Sequence, residues 1–262
     1  MTASDTINLT NDQCFLLVKP DAAGDEAVVR EIELMVRESC LTILEKAEKF
    51  LSEDDVVGLW PQHCAHDAPI SHSLLLAYLV NNRCLCYLVV GESALDGCLA
   101  LKYRYRKARS LGSIVNALHS PTEPSELQQH LLILRSASTV YSEKYAFTDD
   151  QLVSFGGRLG TLSRRALYAQ SKNALAQRCS GGSPIGARYS AQIRVQNDTR
   201  NTINSAVVSM HEALPWFSLC ECIQLVLRID QDGEVIIPVE EGSANYYVSR
   251  LTQRGLTAIA PN

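Results

Sequence analysis

The chain has 262 residues, of which 46% are hydrophobic and 20% are charged, and its formal net charge is −5. This composition excludes a disordered or collagen-like chain, and the length predicts one large or two small domains, each with a core of its own. The negative net charge disfavours a nucleic-acid partner. The apolar runs at 74–80 and 84–90 are shorter than the roughly 18 residues that a membrane span needs, so we expect no membrane segment.

Nine cysteines and a polar N-terminus are the features of the sequence that indicate the cellular compartment. The cysteines follow no disulfide framework spacing, and residues 1–13 carry no signal-peptide pattern. We therefore expect free thiols in a reducing cytoplasm. Most of the cysteines lie in apolar stretches, where Cys behaves as a small hydrophobic residue.

The first half of the chain alternates between strand and helix patterns. The apolar runs predict strands at 14–18, 41–51, 84–90 and 114–118. Apolar residues at helical spacing and capping signals predict helices at 25–39, from Ser52 onward, and at 72–80, 91–101 and 125–134. Helices that pack against a sheet in this order form an α+β sandwich.

The second half divides into a connector and a further small domain. Residues 137–186 are polar and rich in glycine, and they predict a connector with one helix at 161–178. The tail predicts strands at 187–195, 220–229, 234–239 and 256–260 and helices at 201–214 and 243–254, with a hairpin signal at Asp232-Gly233. This is the ferredoxin-like βαββαβ order. The predicted domains are 12–136, a connector at 137–186, and 187–262.

The most informative stretch combines a basic run with a nearby histidine. Five of the eight residues from Lys102 to Arg109 are basic, and His119 follows ten residues later. Basic side chains neutralise phosphate oxygens, and a neutral imidazole can attack phosphorus, so the pattern suits phosphoryl transfer. The alternative interpretation is a solvated basic surface and a histidine that only precedes the next helix.

Residues 12–136 resemble a nucleoside diphosphate kinase domain. Lys19-Pro20-Asp21 resembles the Lys-Pro-Asp motif at the end of that family's first strand. Asn116-Ala-Leu-His119, with Arg106 ten residues before the asparagine, resembles the family's active-site signature. The resemblance implies a ferredoxin-like βαββαβ sandwich for this part of the chain.

The resemblance also implies roles for single residues. His119 would accept the γ-phosphoryl group of a nucleoside triphosphate and pass it to a second acceptor. Lys19 would contact the phosphate or a sugar hydroxyl, Arg106 would bind phosphate, and Asn116 would bind the ribose. Trp60 takes the place of a tyrosine close to the catalytic histidine. Mg²⁺ on the phosphates and a homo-oligomer are expected by the same resemblance.

The chain departs from the family pattern in several places. A segment that supplies a phosphate-binding arginine is missing between Val90 and Arg106, and Arg104 or Arg109 could replace that arginine. His130 stands where the family has a glutamate that orients the histidine, an interaction that fixes the tautomer in catalytic triads. Two alternatives follow: a degenerate nucleotide-binding or regulatory protein without turnover, or an enzyme with altered chemistry on a phosphorylated metabolite.

Other patterns predict structure rather than chemistry. The cluster around His63 and His72 has no second cysteine pair at zinc spacing, which favours a polar loop. The glycine-rich stretch at 181–186 lacks the Gly-Lys-Ser/Thr of a phosphate loop, which favours a connector. Packing or surface roles are expected for Cys84, Cys86, Tyr103, Tyr105, His211, Glu212, Cys220 and Cys222.

Overall fold

The computed structural model describes residues 12–64, 67–109, 111–142, 149–178 and 191–260. These residues form two compact units. The first unit takes its residues from 1–61, 79–111 and 115–145, and the second from 62–78, 112–114 and 146–262.

The strands and helices follow the chain in mixed order. The strands are β1 (Gln13–Val18), β2 (Thr42–Phe50), β3 (Arg83–Val90), β4 (Leu118–His119), β5 (Leu152–Gly156), β6 (Gly160–Ser163), β7 (Ala191–Gln196), β8 (Glu234–Val239) and β9 (Thr257–Ile259). The helices are α1 (Pro20–Ala23), α2 (Glu26–Glu38), α3 (Glu53–Leu59), α4 (Pro69–Leu79), α5 (Ala94–Arg109), α6 (Pro124–Ser136), α7 (Arg164–Arg178), α8 (Ile203–Ala213), α9 (Leu219–Asp232) and α10 (Ala244–Gln253).

The first unit is built on a four-stranded antiparallel sheet in the order β2-β3-β1-β4. This order is the ferredoxin-like arrangement, and it confirms the α+β sandwich predicted for the first half. β1 is central and its residues 14–18 are fully buried. Leu17 of β1 pairs with His119 of β4, so the end of β1 lies beside the histidine.

Local sequence signals explain the helices that flank this sheet. Asp25 caps α2 by accepting hydrogen bonds from the backbone N–H of Ala27 and Val28. Ser52 and Asp55 form a capping box at the start of α3, where the sequence predicts a helix to begin. α5 continues eight residues beyond its predicted end at 101, and the basic run is therefore helical.

The second unit contains a three-stranded antiparallel sheet in the order β8-β7-β9 and a separate hairpin of β5 and β6. The hairpin lies inside the stretch that the sequence assigns to a connector. The loop at 181–186 and the first residues of the strand predicted at 187–195 lie outside the described residues. None of the helices in the described part of the chain has the length and apolar composition needed to cross a bilayer.

The strand predicted at 220–229 is wrong, because these residues belong to α9. Ser218 and Glu221 form a capping box at its start. Its buried apolar residues, among them Ile223, Val226 and Leu227, cover the broad inner face of a helix. Gly233 is the left-handed cap of α9, with φ of +84°, and not part of a hairpin turn. The tail is α+β, but its order from β7 onward is βααβαβ, not the predicted βαββαβ.

The conformation of Gly233 predicts a stability loss on substitution. Gly233→Ala adds a Cβ that meets no atom within 4 Å, so the cost arises from the left-handed backbone alone. We expect the free energy of unfolding to fall by about 1–2 kcal/mol, measured by urea denaturation. Gly24→Ala is the control, since Gly24 has φ of −80° and should lose nothing. An unchanged stability of Gly233→Ala would contradict the left-handed cap.

Candidate active site

The centre of the candidate site is the imidazole ring of His119 on β4. Its side chain is almost wholly buried, and the residue is 6% exposed. The ring lies near two aromatic side chains, with centroid distances of 4.8 Å to Trp60 and 5.9 Å to Phe15. The sheet register and these aromatic neighbours fix where the ring can point.

A hydrogen-bonded cluster joins Lys19, Asn116 and Arg106 beside this ring. The Lys19 Nζ donates to Asn116 Oδ1 at 2.7 Å, and Arg106 donates to the same oxygen at 3.0 Å. Arg106 also donates to the backbone carbonyl of Leu118 at 2.6 Å. One amide oxygen therefore serves two cations that the sequence places far apart.

The Lys19-Pro20-Asp21 motif also holds the backbone that leads to His119. The Lys19 N–H donates to the Ala117 carbonyl at 2.6 Å, and the Ala117 N–H donates to Asp21 Oδ2 at 3.1 Å. Ala117 has φ of +46°, an unfavourable conformation for a residue with a Cβ. These two bonds stabilise that turn, which brings Asn116 and His119 to the end of β1.

Lys102 belongs to the cluster, although the sequence analysis did not assign it to the site. Its Nζ is buried and donates to the backbone carbonyl of Ser120 at 3.0 Å. Lys102 and Arg106 are four residues apart on α5 and so share one helix face. This spacing is the signal that could have identified Lys102, given a helix that extends through the basic run.

His130 on α6 is in direct contact with His119. The His119 Nε2 and the His130 Nδ1 lie 3.2 Å apart, which is a hydrogen-bond distance. His130 is 3% exposed, and its Nδ1 lies 3.8 Å from Glu126 Oε1. The residue at the position of the family's glutamate therefore does touch the histidine, but with an imidazole instead of a carboxylate.

Burial and positive charge control protonation in this cluster. Burial lowers the pKa of His119 well below its usual value, and the nearby Lys19 and Lys102 lower it further. Burial and the charge of Arg106 lower the pKa of Lys19 to about 7 and that of Lys102 to about 8. The ring of His119 is therefore neutral at pH 7, as a nucleophilic imidazole must be.

Not all the predicted site residues meet at His119. Lys19, Arg106 and Asn116 are brought together beside it, and Trp60 lies with its ring 5.0 Å from the Lys19 Nζ. Arg104 and Arg109 instead pair with two glutamates of α2, Glu38 at 3.9 Å and Glu31. These two arginines are half-exposed, and the structure does not bring them into the cluster.

The remaining candidates lie elsewhere. Cys64, Asp67 and His72 line a cavity of about 790 Å³ in the second unit, whereas His66 lies outside the described residues. In the described part of the chain, the group of three potential metal ligands whose donor atoms converge is His119, Glu126 and His130. Its donor atoms all lie within 4.8 Å of one another.

Several weaker expectations are settled by the packing. Burial raises the pKa of Cys84 and Cys86 to about 12, consistent with packing roles. Cys220 and Cys222 lie on a helix and not on one face of a strand. Tyr105 is buried whereas Tyr103 is exposed, and His211 is partly buried, with its Nδ1 3.0 Å from the Phe217 carbonyl oxygen.

Solved structures of nucleoside diphosphate kinases are similar to about half of the chain. The Aquifex aeolicus enzyme is 17% identical, with a TM-score of 0.39, over 47% of this chain and 93% of its own. An NDP kinase from Pyrobaculum aerophilum is 16% identical, with a TM-score of 0.41, over 47% and 94%. The Halobacterium salinarum enzyme in complex with CDP is 14% identical, with a TM-score of 0.38, over 57% and 95%.

The predicted resemblance to nucleoside diphosphate kinases is thus confirmed by structural neighbours. No protein-family model and no curated protein sequence matches the chain. At this identity and TM-score, the likeness gives no ground for assigning an activity.

The lowered pKa of Lys19 predicts a pH-dependent stability. As the pH rises from 7 to 8.5 the folded state loses most of what remains of this proton, whereas the unfolded chain keeps it until about pH 10.4. The unfolded state binds more protons, so stability rises with pH, by up to about 1.4 kcal/mol per pH unit for one proton. Urea unfolding across this range measures the slope.

Lys19→Met should reduce this slope, and Lys107→Met is the matched control, because Lys107 is an exposed lysine on α5. Some slope should remain in Lys19→Met from Lys102, whose pKa is lowered to about 8. An equal slope in wild type and Lys19→Met would show that Lys19 keeps its proton in the folded state.

Proposed function

We propose that the first unit is a nucleotide-dependent phosphotransferase of the nucleoside diphosphate kinase type, in which His119 carries the phosphoryl group. The observation that carries this proposal is a buried imidazole with a lowered pKa beside the basic side chains of Lys19, Lys102 and Arg106. Such a cluster offers both a nucleophile and positive charge for the phosphoryl oxygens. The motif spacing described above points to the same chemistry.

The contact with His130 selects the reacting nitrogen. The Nε2 of His119 faces the His130 Nδ1, so Nδ1 is the nitrogen that attacks. A neutral imidazole carries one proton, and Nδ1 has a free electron pair only when that proton is on Nε2. The His119 Nε2–H then donates to the His130 Nδ1, which holds the reactive tautomer.

The reaction has two balanced half-steps. The Nδ1 electron pair of His119 forms a bond to the γ-phosphorus, and the bond to the bridging oxygen breaks with its electrons on the departing nucleoside diphosphate. A deprotonated terminal phosphate oxygen of an acceptor nucleoside diphosphate then attacks the phosphohistidine, the P–N bond breaks, and its electrons return to Nδ1. The cations stabilise the charge on the phosphoryl oxygens in both steps.

The closed site implies a movement on substrate binding. His119 is 6% exposed and Trp60 is 4% exposed, so a triphosphate reaches the ring only when a neighbouring side chain moves. The cations now donate to Asn116 Oδ1 and to the backbone carbonyls of Leu118 and Ser120. Phosphate oxygens are competing acceptors for the same N–H groups, and they are stronger because they are charged.

The group of potential metal ligands that converges at His119, found among the described residues, does not suit Mg²⁺. Mg²⁺ prefers oxygen ligands, whereas the convergent group at the site has two imidazoles and one carboxylate. Mg²⁺ would instead arrive on the phosphates of the nucleotide. A homo-oligomer, a cytoplasmic location and the domain boundaries 12–136, 137–186 and 187–262 stay predictions.

A second candidate function is nucleotide binding without turnover. It is favoured by the burial of the His119 ring and by the imidazole of His130 where a carboxylate would orient it. Nucleotide binding measured by calorimetry, without consumption of any nucleoside triphosphate, would favour this candidate over the phosphotransferase.

Phosphohistidine formation is the direct test of the proposed function. Incubation with γ-labelled ATP should label the wild-type chain, and the label should be lost in acid and kept in base. His119→Ala should lose the label, because it lacks the accepting nitrogen. His211→Asn is the control, since His211 lies in the second unit and should leave labelling unchanged.

Two results would refute the phosphotransferase. One is an absence of label on the wild-type chain under conditions in which nucleotide binding is detected. The other is an equal amount of label on His119→Ala, which would place the modification on another residue.

A further inference from the structure

Three potential ligands, His119, Glu126 and His130, lie on the side of His119 that faces α6, with donor atoms within 4.8 Å of one another, so a small inward shift of one side chain brings all three to a single ion. The His119 Nε2 and the His130 Nδ1 are 3.2 Å apart, and the His130 Nδ1 is 3.8 Å from Glu126 Oε1. Two nitrogens bound at 2.0–2.1 Å to one tetrahedral Zn²⁺ lie roughly 3.3 Å apart. The spacing of the two imidazole nitrogens therefore matches a shared metal ion as well as it matches a hydrogen bond.

A further pair of contacts orients the carboxylate of this group. Thr122 donates to Glu126 Oε2 twice, from its backbone N–H at 2.5 Å and from its hydroxyl at 2.6 Å. These bonds occupy Oε2 and leave Oε1 toward His130. Partners that fix a ligand in this way are a regular feature of protein metal sites.

We propose that His119, Glu126 and His130 form a binding site for a transition-metal ion of the Zn²⁺ class. Two imidazoles and one carboxylate suit Zn²⁺ and similar divalent ions, whereas Mg²⁺ and Ca²⁺ take oxygen ligands. Three protein ligands leave a fourth position of the tetrahedron for a small molecule or anion. The site does not depend on the proposed function.

The surrounding charges decide how strongly such an ion is held. Lys19, Lys102 and Arg106 lie near His119, and their positive charge repels a bound metal ion. Glu126 supplies the single negative charge among the three ligands, and it lies one helical turn from His130 on α6. The carboxylate of Glu126 therefore offsets part of this repulsion. The affinity of the site for the metal ion should thus depend more on Glu126 than it would on a neutral ligand at the same distance from the ion.

Metal binding has a direct consequence for His119. A metal ion takes the electron pair of Nε2, and the neutral ring then carries its proton on Nδ1. Nδ1 has no free electron pair in that tautomer, so the ring cannot attack phosphorus. The metal and the phosphoryl group are therefore mutually exclusive on the same imidazole, which makes the ion an inhibitor of the proposed transfer.

The test is metal binding by the full-length chain in the absence of nucleotide. Zn²⁺ is titrated in competition with a chromophoric chelator, and Co²⁺ is added separately to record its visible spectrum. We expect one ion per chain at this site, and Co²⁺ bands without the thiolate charge-transfer absorption that cysteine ligands produce. Glu126→Gln should weaken binding by more than the about 10–100-fold that loss of an orienting partner costs.

Matched variants separate this site from other metal-binding groups. Glu123→Gln removes an exposed carboxylate at the start of α6 and should bind as wild type does. Glu126→Gln keeps the side-chain volume at a partly exposed position, so it tests the ligand without emptying the core. His130→Asn removes the buried imidazole and should abolish binding in any sample that is folded by circular dichroism.

The outcomes distinguish this proposal from the phosphotransferase. Equal Zn²⁺ affinity in wild type and Glu126→Gln, or no binding by wild type, would overturn the metal site. Zn²⁺ should reduce phosphate labelling in wild type but much less in Glu126→Gln. If the chain takes no phosphate label at all, the proposed phosphotransferase activity is refuted. The Zn²⁺ titration then still tests the proposed metal site independently.

Discussion

The side-chain oxygen of Asn116 is the acceptor on which the arrangement around His119 depends. It receives hydrogen bonds from the basic side chains of Lys19 at the end of β1 and of Arg106 on α5. A buried charge without a partner costs several kcal/mol, so a neutral oxygen that serves two such donors stabilises the whole cluster. It also joins the short strand β4 to elements that lie far away in the sequence.

The basic side chains beside His119 are hydrogen-bonded to neutral oxygens rather than to carboxylates, and this gives the site its chemical character. The basic side chains beside His119 donate to neutral acceptors, and burial first and their mutual repulsion second lower the pKa values of Lys19 and Lys102. This repulsion lowers stability but leaves positive charge available to an anion. Groups with strongly shifted pKa values concentrate at functional sites for this reason. Burial first, and the neighbouring basic side chains second, lower the pKa of His119 and keep its ring neutral.

The sequence predicts the first unit well because its signals are local and strong. The buried run of β1 and the cap of α2 each identify one element without help from the rest of the chain. The failure at α9 is equally physical, since a continuous apolar run fits a buried strand as well as a buried helix. An Asp-Gly pair ends a helix as readily as it turns a hairpin, and only the packing of the second unit decides between the two.

The site was predictable only in part. The resemblance to the family motif predicted His119 and Asn116, which lie together in the structure, and it marked His130 as a departure. The sequence did not identify Lys102 and Glu126. Their contacts depend on which faces of α5 and α6 point toward His119, and the sequence alone does not fix these faces. The same helical phase explains Arg104, which is two residues from both Lys102 and Arg106 and so points away from their shared face.

The contact with His130 determines what the Nε2 of His119 can hold. A carboxylate at the position of His130 would accept the Nε2–H and keep Nδ1 reactive in every state. An imidazole accepts that proton equally well, but it also offers a nitrogen ligand to a metal ion. Glu126, one turn away on the same helix, is the third ligand of the proposed metal site. Whether Nε2 carries a proton or a metal ion then determines whether Nδ1 can react. In the proposed metal site, the tautomer of His119 is thus one that a bound ion can change.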